Sequence, residues 1–194
     1  MNANKERALT DWINLFGLQV DLQPVERLNE FVRGQHLPTV LKFMQTKKIP
    51  MDPASVSSLT FFTTLLAHLK NLQKCSPHKF HAQLDARGAT YGQRLDIAKF
   101  LAIVIYEIRM DPELQRFAVD VVVPELTRQS RKELAEIMDH LDDSCKWEDG
   151  EWDSILFQGS QQGPGEHSSS SVLFPERPHH SNASLPASKD AAVL

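Results

Sequence analysis

Residues 92–110 read GQRLDIAKFLAIVIYEIRM, and from Ile97 to Ile108 almost every position is apolar. Lys99 and Glu107 interrupt the run. A membrane-spanning helix needs about 18 or more apolar residues without such charges, so a transmembrane segment is not expected here. A helix apolar on every side belongs inside a protein, enclosed by other helices. Val104 and Ile105 are β-branched and would also suit a buried strand. Seventeen residues without a turn is long for a strand, however, and no second segment is long enough to pair with it. The expectation is a helix from about 93 to 109, with the rest of the chain supplying its cover.

The flanking sequence has the material for that cover. KERALTDWINLF at 5–16 puts Ala8, Leu9, Trp12, Ile13 and Phe16 on one stripe, with Gly17 as a plausible stop. Pro24 is suited to the first turn of a helix carrying Val25, Leu28, Phe31 and Val32, ended by Gly34. Pro38 opens a third short helix with Val40, Leu41 and Met44. Asp52-Pro53 reads as a cap and first-turn proline for a long helix to about 74. Its rows are Val56, Leu59, Phe62, Leu66, Leu69 and Leu72, with Phe61 and Leu65 beside them. Residues 75–91 read as a loop, with one turn around His81–Leu84.

Beyond the central helix, Asp111-Pro112 repeats the cap-plus-proline pattern, and Glu113 favours the helix dipole. That helix carries Leu114, Phe117, Ala118, Val121 and Val122, and Pro124 should break it. A last helix over 125–142 carries Leu126, Leu134, Ile137, Met138 and Leu141. Ser130 interrupts this row, so its first two turns should be poorly buried. The sum is about seven helices, an all-α bundle occupying residues 1–143. Residues 144–194 turn acidic and then rich in Ser, Pro and His, and read as a disordered tail unable to offset its ordering entropy.

Charge and cysteine content narrow the function classes. With 21 basic against 25 acidic residues the chain is not a general nucleic-acid binder, which needs a basic surface. Cys75 and Cys145 make no disulfide framework, and MNANKERALTDW has no apolar signal core. Cytoplasm or nucleus is the expected location.

Catalytic motifs are missing: there is no GxGxxG, GxxxxGK[ST], GxSxG or HExxH. The reading is non-enzymatic, with no cofactor and no metal. Cys75, His78 and His81 have metal-like spacing but no second ligand pair, so a polar loop is the better reading. The acids between Asp139 and Asp153 do not match a calcium loop and read as a solvated helix end and tail. His68, beside an apolar row, reads as packed or capping rather than catalytic. Trp147 and Trp152, near Ile155, Leu156 and Phe157, leave two readings open. They form either a short motif that docks in a partner's groove or a segment that folds back onto the domain itself.

Taken in order, ALTDWINLF (8–16), VERLNEFVRGQHLPTVLKFM (25–44), RLDIAKFLAIVIYEIRM (94–110) and DPELQRFAVDVVVPELTRQSRKELAEIMDHLDD (111–143) resemble Hook-type domains. These are divergent calponin-homology folds at the N-termini of Hook proteins and of the nuclear mitotic apparatus protein, NuMA. The resemblance implies an adaptor that grips an amphipathic helix of the dynein light intermediate chain in an apolar groove. It points to Phe117, Val121, Gln129, Leu134, Ile137, Met138 and Leu141 as groove residues. Gln129 and Ile137 are eight positions apart, where the family's pair sits two turns, about seven residues, apart. A shifted register would put Arg131 in the glutamine's place. In the other reading Leu134, Ile137 and Leu141 simply seal the domain's own core. Hook and NuMA chains continue into long coiled coils, and residues after 143 here carry no sustained heptads. Spindle pole or centrosome would be the implied site of action.

Direct microtubule binding is the rival function. The basic clusters Arg128, Arg131, Lys132 and Lys42, Lys47, Lys48 are its candidates, against a background of ordinary solvated helix surface. A small-molecule or enzymatic role ranks last.

Overall fold

Extended Gln93 precedes and Asp111 closes a helix over Arg94–Met110, with every residue from Ile97 to Ile108 except Lys99 buried. A computed structural model describes residues 1–19, 22–32, 36, 57–71, 83–144, 151–158 and 173. Among them are seven α-helices and no strand. They are α1 (Ala3–Leu18), α2 (Ser58–Asn71), α3 (Ala86–Thr90), α4 (Arg94–Met110), α5 (Pro112–Phe117), α6 (Arg128–Ser144) and α7 (Trp152–Leu156). The molecule is an all-α bundle. α4 lies at its centre, touching α1, α3, α5, α6 and a 3₁₀ turn at Leu28–Val32. α1 lies along α6, and α2 lies on α3.

α1 forms where its stripe requires. Ala8, Leu9, Trp12, Ile13 and Phe16 are buried, Asn2 caps the start, and Trp12 stacks on Phe16 at 5.2 Å. On α2 the buried row is Phe61, Phe62, Leu65 and Leu69, with Leu66 half-buried. Phe62 meets Phe100 of α4 at 5.0 Å. Leu59, expected in that row, lies in the first turn of the helix and is exposed.

The helix expected from Pro24 does not form. Asn14 holds residue 25 in a reciprocal pair, donating from Nδ2 to Val25 O (2.8 Å) and accepting from Val25 N (2.7 Å). That pair draws Val25 onto α1 outside any helix, and the first helical residue is Leu28. The long helix expected from Asp52-Pro53 is α2; its expected start at 52–56, the helix expected at Pro38 and the turn residues His81 and Ala82 lie outside the described residues. Where a loop was expected to 91, α3 forms instead, its Asp85 cap accepting from Arg87 N at 2.8 Å. Gly88 is the residue that lets α4 approach. A Cβ there would collide with the Asp96 carboxylate.

Asp111 does cap α5, its Oδ1 accepting from Glu113 N (3.0 Å) and Leu114 N (3.1 Å). Pro124 does break the chain: a π turn at Ala118–Val122 and a 3₁₀ turn at Val123–Glu125 precede extended Leu126. The last helix therefore starts at Arg128 rather than 125. The stretch read as tail from 144 holds α7, and its Trp152, Ile155 and Leu156 join the core cluster. Packing thus continues past residue 143, because three apolar residues at helical spacing find the surface of α6.

Candidate functional site

α6 was expected to line a groove, and its burial pattern defines what it can offer. Leu134, Ile137, Met138 and Leu141 are each 0% exposed. They seal the domain's own core, because α1, α4 and α7 all pack on α6. In this structure these four are closed to a partner. Phe117 and Val121 are half-buried, and Phe117 packs edge-on against Phe16 at 5.8 Å. Gln129 is exposed and donates to Glu133 Oε1 at 2.6 Å. The seven residues therefore separate into a sealed core row and a more open edge.

Ser130, expected in a poorly buried turn, is 3% exposed, and Glu133 is 1% exposed. The Ser130 hydroxyl donates to Asp11 Oδ2 on α1 at 2.5 Å, and its N–H donates to Thr127 Oγ1, which caps the helix. Burial of a polar group is tolerated when its hydrogen bonds are made. The start of α6 is thus joined to α1 by polar rather than apolar contact. At the other end Asp142 accepts from Tyr106 Oη (3.0 Å) and Arg109 Nη1 (2.6 Å), tying α6 to α4. This acid is 39% exposed, yet its two bonds make it an anchor at the end of α6.

α7 lies on α6 and against the N-terminal turn of α1. Trp152, Ile155 and Leu156 recur at i, i+3 and i+4, so one face of the short helix is apolar and buried. Asp153 and Phe157 are exposed. Two groups of α1 satisfy its final carbonyls: Lys5 Nζ donates to Ile155 O at 2.7 Å, and Asn2 N donates to Leu156 O at 2.8 Å. Lys5 is 1% exposed. Burial pushes its ammonium below the ordinary lysine range, while the nearby Glu136 and Glu133 pull it back up.

Burying three large apolar side chains contributes about 5–9 kcal/mol, at roughly 1.5–3 each. Fixing five helical residues costs about 5–10 kcal/mol of backbone entropy, at roughly 1–2 each. The two nearly cancel, so α7 is held only marginally. Of the two readings of the Trp152 segment, this structure shows the one folded back on the domain. Trp147 lies outside the described residues.

Sequence reasoning missed Lys5 and Ser130, both polar residues at core positions. The signal for Lys5 was present: it precedes Leu9 by four and Trp12 by seven, on the same stripe.

Elsewhere, an open cleft of about 480 Å³ runs along the outer face of α1, lined among others by Glu6, Arg7, Asp11, Glu26, Arg27 and Arg94. Its charges are of both signs, and Arg94 pairs with Glu6 at 3.2 Å. Asp96, buried beside Gly88, is shifted above the ordinary aspartate range by burial. Asp85 adds to that shift, and Lys99 opposes it. Among the described residues no group of three or more His, Cys, Asp and Glu side chains could hold a metal ion, and no helix is long and apolar enough to cross a membrane. Cys75, His78 and His81 lie outside the described residues.

These features define an all-helical domain whose last long helix carries a short amphipathic one on its surface. The model of the LIN-5 N-terminal domain family matches residues 4–160, and the chain belongs to that family. LIN-5 is the NuMA-like protein of C. elegans, so the domain is NuMA-related, as the order of its sequence segments implied. The match runs through α7, beyond the expected boundary at 143. No curated protein and no solved structure matches the chain.

Proposed function

We propose that this chain is a non-enzymatic protein-interaction module of the spindle and dynein machinery. It binds an amphipathic helix of a partner, such as that of the dynein light intermediate chain, on the surface of α6. The finer kinship with Hook-type, calponin-homology folds is part of that proposal, as is action at the spindle pole or centrosome. Membership of the NuMA-related family supports the setting. The observation that carries the binding mode is α7 itself: α6 already accepts a short helix with an apolar face. Helix-in-groove recognition uses anchors at i, i+3 and i+4, the pattern of Trp152, Ile155 and Leu156.

The test is fluorescence anisotropy of a labelled light-intermediate-chain helix peptide titrated with the full chain. Saturable binding at micromolar concentration is expected, because a single short helix offers few anchors and binding must also offset its ordering. Absence of binding, with co-sedimentation of the chain on microtubules, would move the function to direct microtubule binding through exposed Arg128, Arg131 and Lys132 on α6.

A further inference from the structure

α7 differs from the other helices in how it is retained. α4 and α6 are each 17 residues long and packed along their length, whereas α7 has five residues. Its apolar face is buried, yet its flanking Glu151, Phe157 and Gln158 are exposed. Its C-terminal carbonyls are received by Asn2 N and by Lys5 Nζ, and the Lys5 side chain is almost wholly shut from solvent beneath them. A buried ammonium satisfied by a backbone carbonyl recognises the end of any helix laid in that place, whatever its side chains, because main-chain carbonyls at a helix C-terminus are free to accept. Glu133 and Glu136 lie close enough to Lys5 to act on its charge. The seat lies where α7 packs on α6 beside Lys5 and Asn2.

We propose that α7 is a displaceable occupant of a docking seat formed by α6 and the first turn of α1, and that it competes in cis with the partner's helix. The occupant that the seat fits is a short helix with an aromatic residue and two aliphatic residues at i, i+3 and i+4, ending where Lys5 and the amide of Asn2 can take its last carbonyls. The proposal rests on the helix-binding reading above, but it specifies the seat and a regulation that reading lacks. Binding elsewhere on the protein would not require α7 to leave. Binding at this seat requires α7 to leave, so apparent affinity is scaled by the fraction of molecules in which the seat is open.

The experiment uses the full chain and a labelled synthetic peptide of residues 148–158 as the probe. In the Trp152→Ala/Leu156→Ala chain, the seat is vacated and the probe should bind at least about tenfold more tightly than to the wild type, as expected when an internal competitor is removed. Equal affinity in the two chains, or no binding by a variant that keeps the wild-type amide protection of α4, would overturn the proposal. Hydrogen exchange of the wild-type chain decides independently, even if the variant fails to fold. Amides of α7 should exchange at least about tenfold faster than those of α4, by local opening. Equal rates would make α7 a part of the global fold and overturn the proposal. Binding of this probe without binding of the light-intermediate-chain peptide would leave the seat standing and remove the partner; the opposite pair of results would do the reverse.

Discussion

α4 and α6 have the same length and both run through the core, but they are held there by different chemistry. α4 is enclosed on all sides, and from Ile97 to Ile108 its buried residues are apolar apart from Glu107. α6 presents a narrower apolar row, Leu134, Ile137, Met138 and Leu141, and starts with buried Ser130 and Glu133. Its partner along that start is α1, reached through the Ser130–Asp11 hydrogen bond. Apolar burial is non-directional and tolerates small shifts of one helix on another. A hydrogen bond between buried groups fixes register. The central helix therefore supplies most of the cohesion, while the last helix supplies position.

Substitutions on the two helices can break or sharpen that contrast. Ile103→Ala, at a fully enclosed position of α4, should cost about 2–5 kcal/mol, read as a fall in the urea midpoint at unchanged slope. A loss below about 1 kcal/mol would mean that α4 is less tightly enclosed than its burial indicates. On α6, Ser130→Ala should cost about 1–3 kcal/mol, because it strips the half-buried Asp11 carboxylate of its donor. Asp11→Asn, which can still accept that bond, should cost less, and the difference between the two isolates the polar seam. Asp111→Ala removes the cap of α5 and should cost about 1 kcal/mol.

Asp96, in the first turn of α4, gives a test by pH. Its carboxyl is shifted upward in the folded state, so between the unfolded and folded values the native chain holds a proton that the unfolded chain has lost. Stability contributed at this site is complete at low pH and falls as pH rises through that window. Asp96→Asn should flatten the decline in urea titrations across the acidic range, and an unchanged slope would refute the assignment. The smallest effect belongs to Arg94→Ala. Its side chain is 59% exposed where it pairs with Glu6, and stability should stay within about 0.5 kcal/mol of the wild type.

What could be read in the sequence follows the same division. α4 was legible because a continuous apolar run has one stable environment. The Asp111-Pro112 start and the Pro124 break were legible because proline and a capping aspartate act locally. Ser130 and Lys5 were not, since a polar residue at a core position looks like a surface residue until its partner, Asp11 or the Ile155 carbonyl, is brought near by the fold. The non-helical setting of Pro24 depends on Asn14, eleven residues before Val25. α3 escaped notice because Ala-Arg-Gly-Ala-Thr has no apolar stripe, and α7 because five residues are too few for a period. At the candidate site, spacing revealed that Leu134, Ile137, Met138 and Leu141 share a face. It held no information on whether that face turns toward this chain or another.

Asp111 stands at the junction of the two kinds of segment. Its amide closes the last turn of α4 on Glu107 O at 3.1 Å, while its carboxylate opens α5. One residue ends one helix and begins the next, so no linker separates them to absorb torsion. Any displacement of α5 would be felt directly at the C-terminal turn of α4, so the corner at Asp111 is a stiff elbow between the two helices.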